Sequence, residues 1–139
     1  MIQIAPTRDI ATCRALRRIV FIDEQGVSEA DEVDNLDGQA IHLLATQDGQ
    51  PLGSARLLIL GDTGKIGRVC VLKEARGTGL GAALIRAAIA EFRAHTGVKR
   101  AKLGAQTHAL GFYQRLGFAA TGPEYLDAGI PHRDMVLAL

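Results

Sequence analysis

The chain has 139 residues, 47% hydrophobic and 22% charged, with 16 basic against 15 acidic side chains and a net charge of +1. That composition gives a globular chain able to bury a sizeable core, and it excludes a disordered segment and a general nucleic-acid binder. No apolar run reaches the roughly 18 residues of a membrane span, and the whole length, 1–139, reads as one domain. Cys13 and Cys70 lack the spacing of a disulfide framework. They point to reduced thiols and a cytoplasmic setting. Residues Met1 to Asp9 show no basic stretch ahead of an apolar one, so no signal peptide is expected.

In chain order, Ile2 and Ile4 alternate with Gln3 in a short strand that ends at Pro6. Thr7 or Asp9 can cap a helix in which Ile10, Cys13, Leu16, Val20 and Phe21 keep helical spacing, with a stop near Gly26. Arg14, Arg17 and Arg18 read as its solvated face. The connector Asp23 to Asp37 carries seven of the 15 acidic residues. It is expected to be a loop whose carboxylates mostly face water, with Glu24 the first choice to meet a cationic amine.

Strands follow at Ile41–Thr46, Leu52–Leu60 and Lys65–Leu72, joined at Asp48-Gly49 and Gly61–Gly64 as an antiparallel meander. A helix from Leu80 to Thr96 stops at Gly97. Beyond it come a strand at Lys99–Ala105, a short helix at Ala109–Phe118, a loop from Ala119 to His132, and a last strand at Arg133–Leu139. The fold class is therefore α/β (α+β), with about six or seven mainly antiparallel strands and roughly four helices.

The centre of this arrangement is Val69-Cys70-Val71-Leu72, a buried strand, followed by Arg76-Gly77-Thr78-Gly79-Leu80-Gly81 and a helix through Ala82. Helix first-turn N–H groups lack intrahelical partners and carry partial positive charge. Glycines let backbone approach an oxyanion. Arg76 would add a donor fork at the mouth. The dinucleotide fingerprint is a poor match, because no acidic residue ends the next strand roughly 20 residues on. The mononucleotide loop fails too, for want of Gly-Lys-Ser/Thr.

Arg76 to Gly81 fills every position of Q/R-x-x-G-x-G/A, the signature of the GNAT N-acetyltransferase superfamily, and Arg68 to Val71 resembles that superfamily's fourth strand. Phe112-Tyr113-Gln114-Arg115-Leu116-Gly117-Phe118 resembles its later Tyr-x-x-x-Gly-Phe helix, and the order of elements agrees along nearly the whole chain. Val20 to Val27, Ala105 to His108, Tyr125-Leu126 and Gly129 to His132 look like the ElaA-like branch. The resemblance implies a mixed sheet flanked by helices and acetyl-CoA as cosubstrate. Its pyrophosphate would be held by Arg76, Gly77, Thr78, Gly79, Leu80, Gly81 and Ala82, and its pantetheine arm along the backbone of Val69, Cys70 and Val71. His108 stands where many members carry an Asn that touches the arm.

Acetyl transfer needs a neutral amine, donors for the developing oxyanion and an acid for the leaving thiolate. By resemblance Tyr113 is the acid, and the N–H of Val71 or its neighbour polarises the carbonyl. Candidate bases are Glu24, His42, His108 and His132. Cys70, between two valines, reads as packing and not as an acyl carrier. No His or Cys pair has metal-ligand spacing, so no metal is expected. The expected acceptor is a small cationic amine, with no nucleic acid or membrane partner; dimers are common in this fold. Two rival readings are an acyl-CoA-binding module without turnover and an acetyltransferase acting on a protein N-terminus or lysine.

Overall fold

The computed structural model describes residues 1–139 in full. Seven strands form one sheet in the order β1-β2-β3-β4-β5-β7-β6. They are β1 (Ile2–Thr7), β2 (Ile41–Gln47), β3 (Gln50–Leu60), β4 (Thr63–Val71), β5 (Arg100–Gln106), β6 (Ala119–Asp127) and β7 (Ile130–Ala138). The helices are α1 (Ile10–Arg17), α2 (Glu29–Glu32), α3 (Leu80–Ala94) and α4 (Leu110–Arg115). Every pairing is antiparallel except β4 with β5. That parallel pairing follows from α3, which carries the chain back across the sheet.

The parallel ladder is short. Thr63 to Ile66 pair with Arg100 to Leu103, and there the register ends. Beyond it, Gly67–Val71 of β4 and Gly104–Gln106 of β5 run on without pairing to each other, so the sheet opens into a cleft at its centre. No helix is long and apolar enough to cross a membrane.

The aliphatic core lies between the sheet and α3, whose Leu84, Ile85, Ala88 and Phe92 are completely buried. A β-bulge then decides what β4 shows to each side. Arg56 pairs with Gly67 and Ser54 with Cys70, so Arg68 and Val69 together oppose Ala55. Arg68 takes φ 51°, a left-handed conformation that a non-glycine residue adopts at a cost. The extra residue reverses the alternation. Gly64 and Ile66 face α3 before it, and Val69 and Val71 face α3 after it, while Cys70 turns to the opposite side against Leu16 and Val20 of the first helix.

Asp9 is the N-cap of α1, accepting from the Thr12 N–H at 3.1 Å. The helix widens after Arg17 into a seven-residue π-helical stretch, Arg18–Glu24. One expectation about this region is corrected. Arg17 does not face solvent: it is 2% exposed, and it donates to Glu32 at 2.8 Å and to both carboxylate oxygens of Asp37 at 2.9 and 2.8 Å. Of the connector's carboxylates, Asp23, Glu24, Glu29 and Asp31 are exposed, as expected for most of them, but Glu32 and Asp37 are buried and Asp34 is half-buried. Asp34 receives both terminal nitrogens of Arg56, at 2.7 and 2.9 Å, and Arg68 at 3.2 Å. These pairs pull the connector onto the sheet, where Ser28 caps the short α2. Helical spacing cannot tell an arginine that faces water from one that faces a folded-back acidic segment.

The stretch 119–132 is also corrected: it is mostly strand. Gly122-Pro123, which reads as a turn, is an irregularity inside β6, where Thr121 pairs with Asp134 and Tyr125 with His132. Arg133 closes the irregularity by donating to the Gly122 carbonyl at 2.9 and 3.1 Å. The strand is nearly all exposed because it is the sheet's edge, so it lacks the apolar alternation of a half-buried strand.

Candidate active site

Two cavities lie on either side of the free end of β4. The first, of about 310 Å³, sits at the N-terminus of α3. The second, of about 400 Å³, lies where β4 and β5 part, under the connector.

The first cavity is built by the glycine loop. Gly77 and Gly79 take φ 76° and 85°, conformations that favour glycine, and no atom lies within 4 Å of where a Cβ would project at either. Gly79 is the N-cap of α3 and makes no side-chain cap, so the first-turn N–H groups at Leu80, Gly81 and Ala82 keep no side-chain partner. Thr78 braces the loop by donating to the Ala75 carbonyl at 2.6 Å. Val71, Arg76, Gly77, Gly79, Leu80, Gly81 and Ala82 all line this cavity. An open cradle of N–H groups at a helix N-terminus suits an anion, and the fit to a pyrophosphate is good.

Arg76 is not idle at the mouth. Its Nε donates to the Val71 carbonyl at 3.1 Å, and its Nη2 meets both Glu24 oxygens at 3.0 and 2.8 Å. One guanidinium thus ties the end of the π-helical stretch to the end of β4. The same bond occupies Glu24, so that carboxylate faces an arginine and not an open amine site.

α4 stands between the cavities. Phe112 lines the first, while Tyr113 lines the second. The Tyr113 ring packs edge-on against Phe112 and Phe118, with centroids 5.0 and 6.2 Å away. Burial raises the Tyr113 phenol above its ordinary pKa, so it holds its proton.

Val69 also lines the second cavity. Cys70 lines neither: its sulfur faces inward, 3.4 Å from the Ser54 hydroxyl. Burial raises its thiol pKa, and that of Cys13 is pushed up to about 11. Protonated and enclosed, neither thiol is a nucleophile. His108 sits exposed in the turn Thr107–Ala109 and lines neither cavity. His42 is buried and spends its Nε2–H on the Asp37 carbonyl at 2.9 Å. His132 does line the second cavity. Its Nδ1 lies 2.6 Å from the Ile130 carbonyl, which can only accept, so Nδ1 carries a hydrogen and Nε2 is the nitrogen with the lone pair whenever the ring is neutral.

Sequence reasoning missed Phe21, Gln25, Gln106, Tyr125 and Asp134, all of which line the second cavity. A signal existed. The segments Val20 to Val27, Ala105 to His108, Tyr125-Leu126 and Gly129 to His132 are far apart in the chain, yet each contributes side chains to this one cavity. Gln25 and Gln106 even touch across its mouth at 3.3 Å. No group of three or more His, Cys, Asp or Glu side chains comes together as a metal site.

The chain resembles known proteins along nearly its whole length. The family model described as acetyltransferase (GNAT) domain matches residues 19–139. The uncharacterized protein YyaT of Bacillus subtilis is 41% identical over 133 residues, which cover 94% of this chain and 89% of YyaT. ElaA of Escherichia coli is 35% identical over 124 residues, 86% of this chain and 81% of ElaA. In a structural superposition its crystal structure has a TM-score of 0.88 and 28% identity, covering 99% of both chains. The crystal structure of an acyl-CoA N-acyltransferase from Pseudomonas aeruginosa gives a TM-score of 0.90 at 33% identity, covering 99% of this chain and 100% of that one.

Proposed function

The chain belongs to the GNAT acetyltransferases, in their ElaA-like branch, and from that premise we propose that it transfers acetyl from acetyl-CoA directly to the primary amine of a small molecule. The observation that carries this reading is the pair of cavities flanking the free end of β4, one an anion cradle and the other lined by Tyr113 and His132.

In this reading the backbone N–H groups from Gly77 to Ala82 hold the pyrophosphate, and the free edge of Val69–Val71 carries the pantetheine arm as an added strand would. His132 Nε2 takes a proton from the ammonium form of the acceptor. The neutral nitrogen attacks the thioester carbonyl, whose developing negative charge meets the N–H of Val71 or its neighbour. The carbon–nitrogen bond forms and the carbon–sulfur bond breaks. The Tyr113 hydroxyl gives its proton to the departing sulfur, and the proton that the new amide nitrogen sheds returns to the phenolate through solvent. Glu24 is the weaker choice of base, because Arg76 already holds its carboxylate.

A small acceptor is favoured over a protein terminus or lysine. The connector supplies Gln25, Val27, Asp31 and Glu32 to the cavity wall, and the Gln25–Gln106 contact narrows the opening. The test is calorimetric titration with acetyl-CoA, with Gly79→Glu as control and circular dichroism to show that the control folds. Binding by the wild type and loss in the control are expected. A folded wild type that binds no acetyl-CoA overturns the reading. Binding without turnover across an amine panel favours the acyl-CoA-binding module instead.

A further inference from the structure

The second cavity contains a contact that the proposed chemistry does not yet use. β5, β7 and β6 lie side by side at its floor, with Gly104 opposite Asp134, Gln106 opposite His132, and His132 opposite Tyr125. Tyr125 belongs to the outermost strand, yet its side chain crosses β7 to reach β5. Its hydroxyl donates to Asp134 Oδ1 at 2.7 Å. It also lies directly over Gly104, where a Cβ would sit 2.5 Å from the phenolic oxygen. Real Cβ atoms do not come that close, so the phenol occupies the space that any other residue at 104 would fill. Gly104 is in mid-strand, where a glycine without a turn marks a close approach.

On its way inward, the Tyr125 ring stacks on His132, with centroids 5.9 Å apart and planes at 22°. The imidazole is otherwise held by one bond, Nδ1–H to the Ile130 carbonyl two residues back. A single local hydrogen bond is worth only about 1 kcal/mol net. Without a neighbour against its face the ring can turn over, which carries Nε2 to the other side.

We propose that Tyr125 is a positioning residue, seated over Gly104 and anchored by Asp134, that holds the His132 ring with Nε2 facing the acceptor. This rests on the reading of His132 as the proton acceptor. Tyr125 touches neither the thioester nor the amine in this role; it acts through His132. Asp134 is held in turn, its second oxygen 3.5 Å from Lys102.

The experiment uses the full chain and has two independent readouts. Nitrogen-15 spectra of the His132 ring, assigned by their loss in His132→Gln, report the tautomer with no substrate present. The Nδ1–H form is expected in the wild type, and it should still predominate in Tyr125→Phe, which keeps the stacked ring without its anchor. A tautomer mixture is expected in Tyr125→Ala and in Gly104→Ala, which displaces the phenol. In turnover, Tyr125→Ala and Gly104→Ala should each lower kcat about tenfold or more, with the KM for acetyl-CoA unchanged. Tyr125→Phe, which keeps the stacked ring but loses the Asp134 anchor, should lower kcat less than Tyr125→Ala does. Placed in His132→Gln, neither alanine change should lower kcat further, and Gly104→Ala should cost nothing once Tyr125 is alanine.

A wild-type ring in the Nε2–H form overturns the proposal, as does an unchanged tautomer in Tyr125→Ala. So does an equal loss of kcat in the His132→Gln background. If the wild type binds no acetyl-CoA, the acetyltransferase reading fails, while the spectra still decide whether Tyr125 governs His132.

Discussion

Arg17→Met removes the centre of the ion network that fastens the connector to the sheet. Arg17 is 2% exposed, and its partners Glu32 and Asp37 are 5% and 2% exposed. Methionine fills much of the volume but leaves Glu32 without its closest cation. Asp37 keeps Arg14 at 2.9 Å and Arg56 at 3.2 Å. Breaking a buried pair from one side costs about 3–5 kcal/mol, because the surviving charge stays desolvated. Each 1 kcal/mol moves Tm by roughly 3–5 °C for a chain of this size, so a fall of roughly 10–20 °C is expected by calorimetric melting. Adding Glu32→Gln and Asp37→Asn to Arg17→Met should recover part of the loss, since no buried charge then lacks its partner. A drop of only a few degrees in Arg17→Met, or no recovery in the triple variant, would refute the view that the network is desolvated and coupled. The same change should raise the KM for the amine while leaving acetyl-CoA affinity intact, because the connector walls the second cavity and not the first.

The network also sets an acid limit. Burial alone would raise the Asp37 carboxyl, but hydrogen bonds and charge from Arg17, Arg14 and Arg56 outweigh it and hold it well below the usual range. Hydrogen bonding from Arg56 leads the causes that lower Asp34. A carboxyl lowered in the folded state contributes stability that is present above its unfolded pKa, near 4, and is lost as pH falls from there through the folded value. Denaturant melts should therefore show stability falling with acid below about pH 4, and Asp37→Asn should flatten that slope. Tyr113→Phe should lower kcat by about a hundredfold or more with acetyl-CoA binding unchanged by calorimetry; full activity would remove Tyr113 from proton transfer. Glu24→Gln releases Arg76 from a partly exposed ion pair, worth up to about 1 kcal/mol. Acetyl-CoA affinity should rise about twofold to fivefold, and weaker binding would mean that Arg76 needs Glu24 to hold its place.

Much of the fold was legible in the sequence, and the reasons differ from element to element. The meander from Ile41 to Leu72 and the α3 helix announce themselves by turn residues and apolar period. The glycine loop is legible because its residue types are dictated by backbone geometry at Gly77 and Gly79. Neither the fate of Arg17 nor that of its partners Glu32 and Asp37 could be read, since charge pairing over 15 to 20 residues leaves no local pattern. β6 was hidden because an edge strand needs no apolar face. Within the second cavity, Gly104 lies unmarked inside a predicted strand, and only the Tyr125 phenol above it explains why no side chain stands there.

The short parallel ladder between β4 and β5 has a consequence for how this protein avoids unwanted company. An outer sheet edge is a template for any passing strand, and proteins guard such edges against aggregation. Here the unpaired backbone of Gly67–Val71 is an edge placed inside the sheet, with β5 fanning away on one side and β3 fixed on the other. A second protein chain would have to thread its strand between two fixed strands with helices packed on both faces. A thin, flexible, amide-bearing arm can slide in end-on. Under the proposed function the opening would work as a width filter, offering strand-like hydrogen bonding while refusing a folded chain's strand.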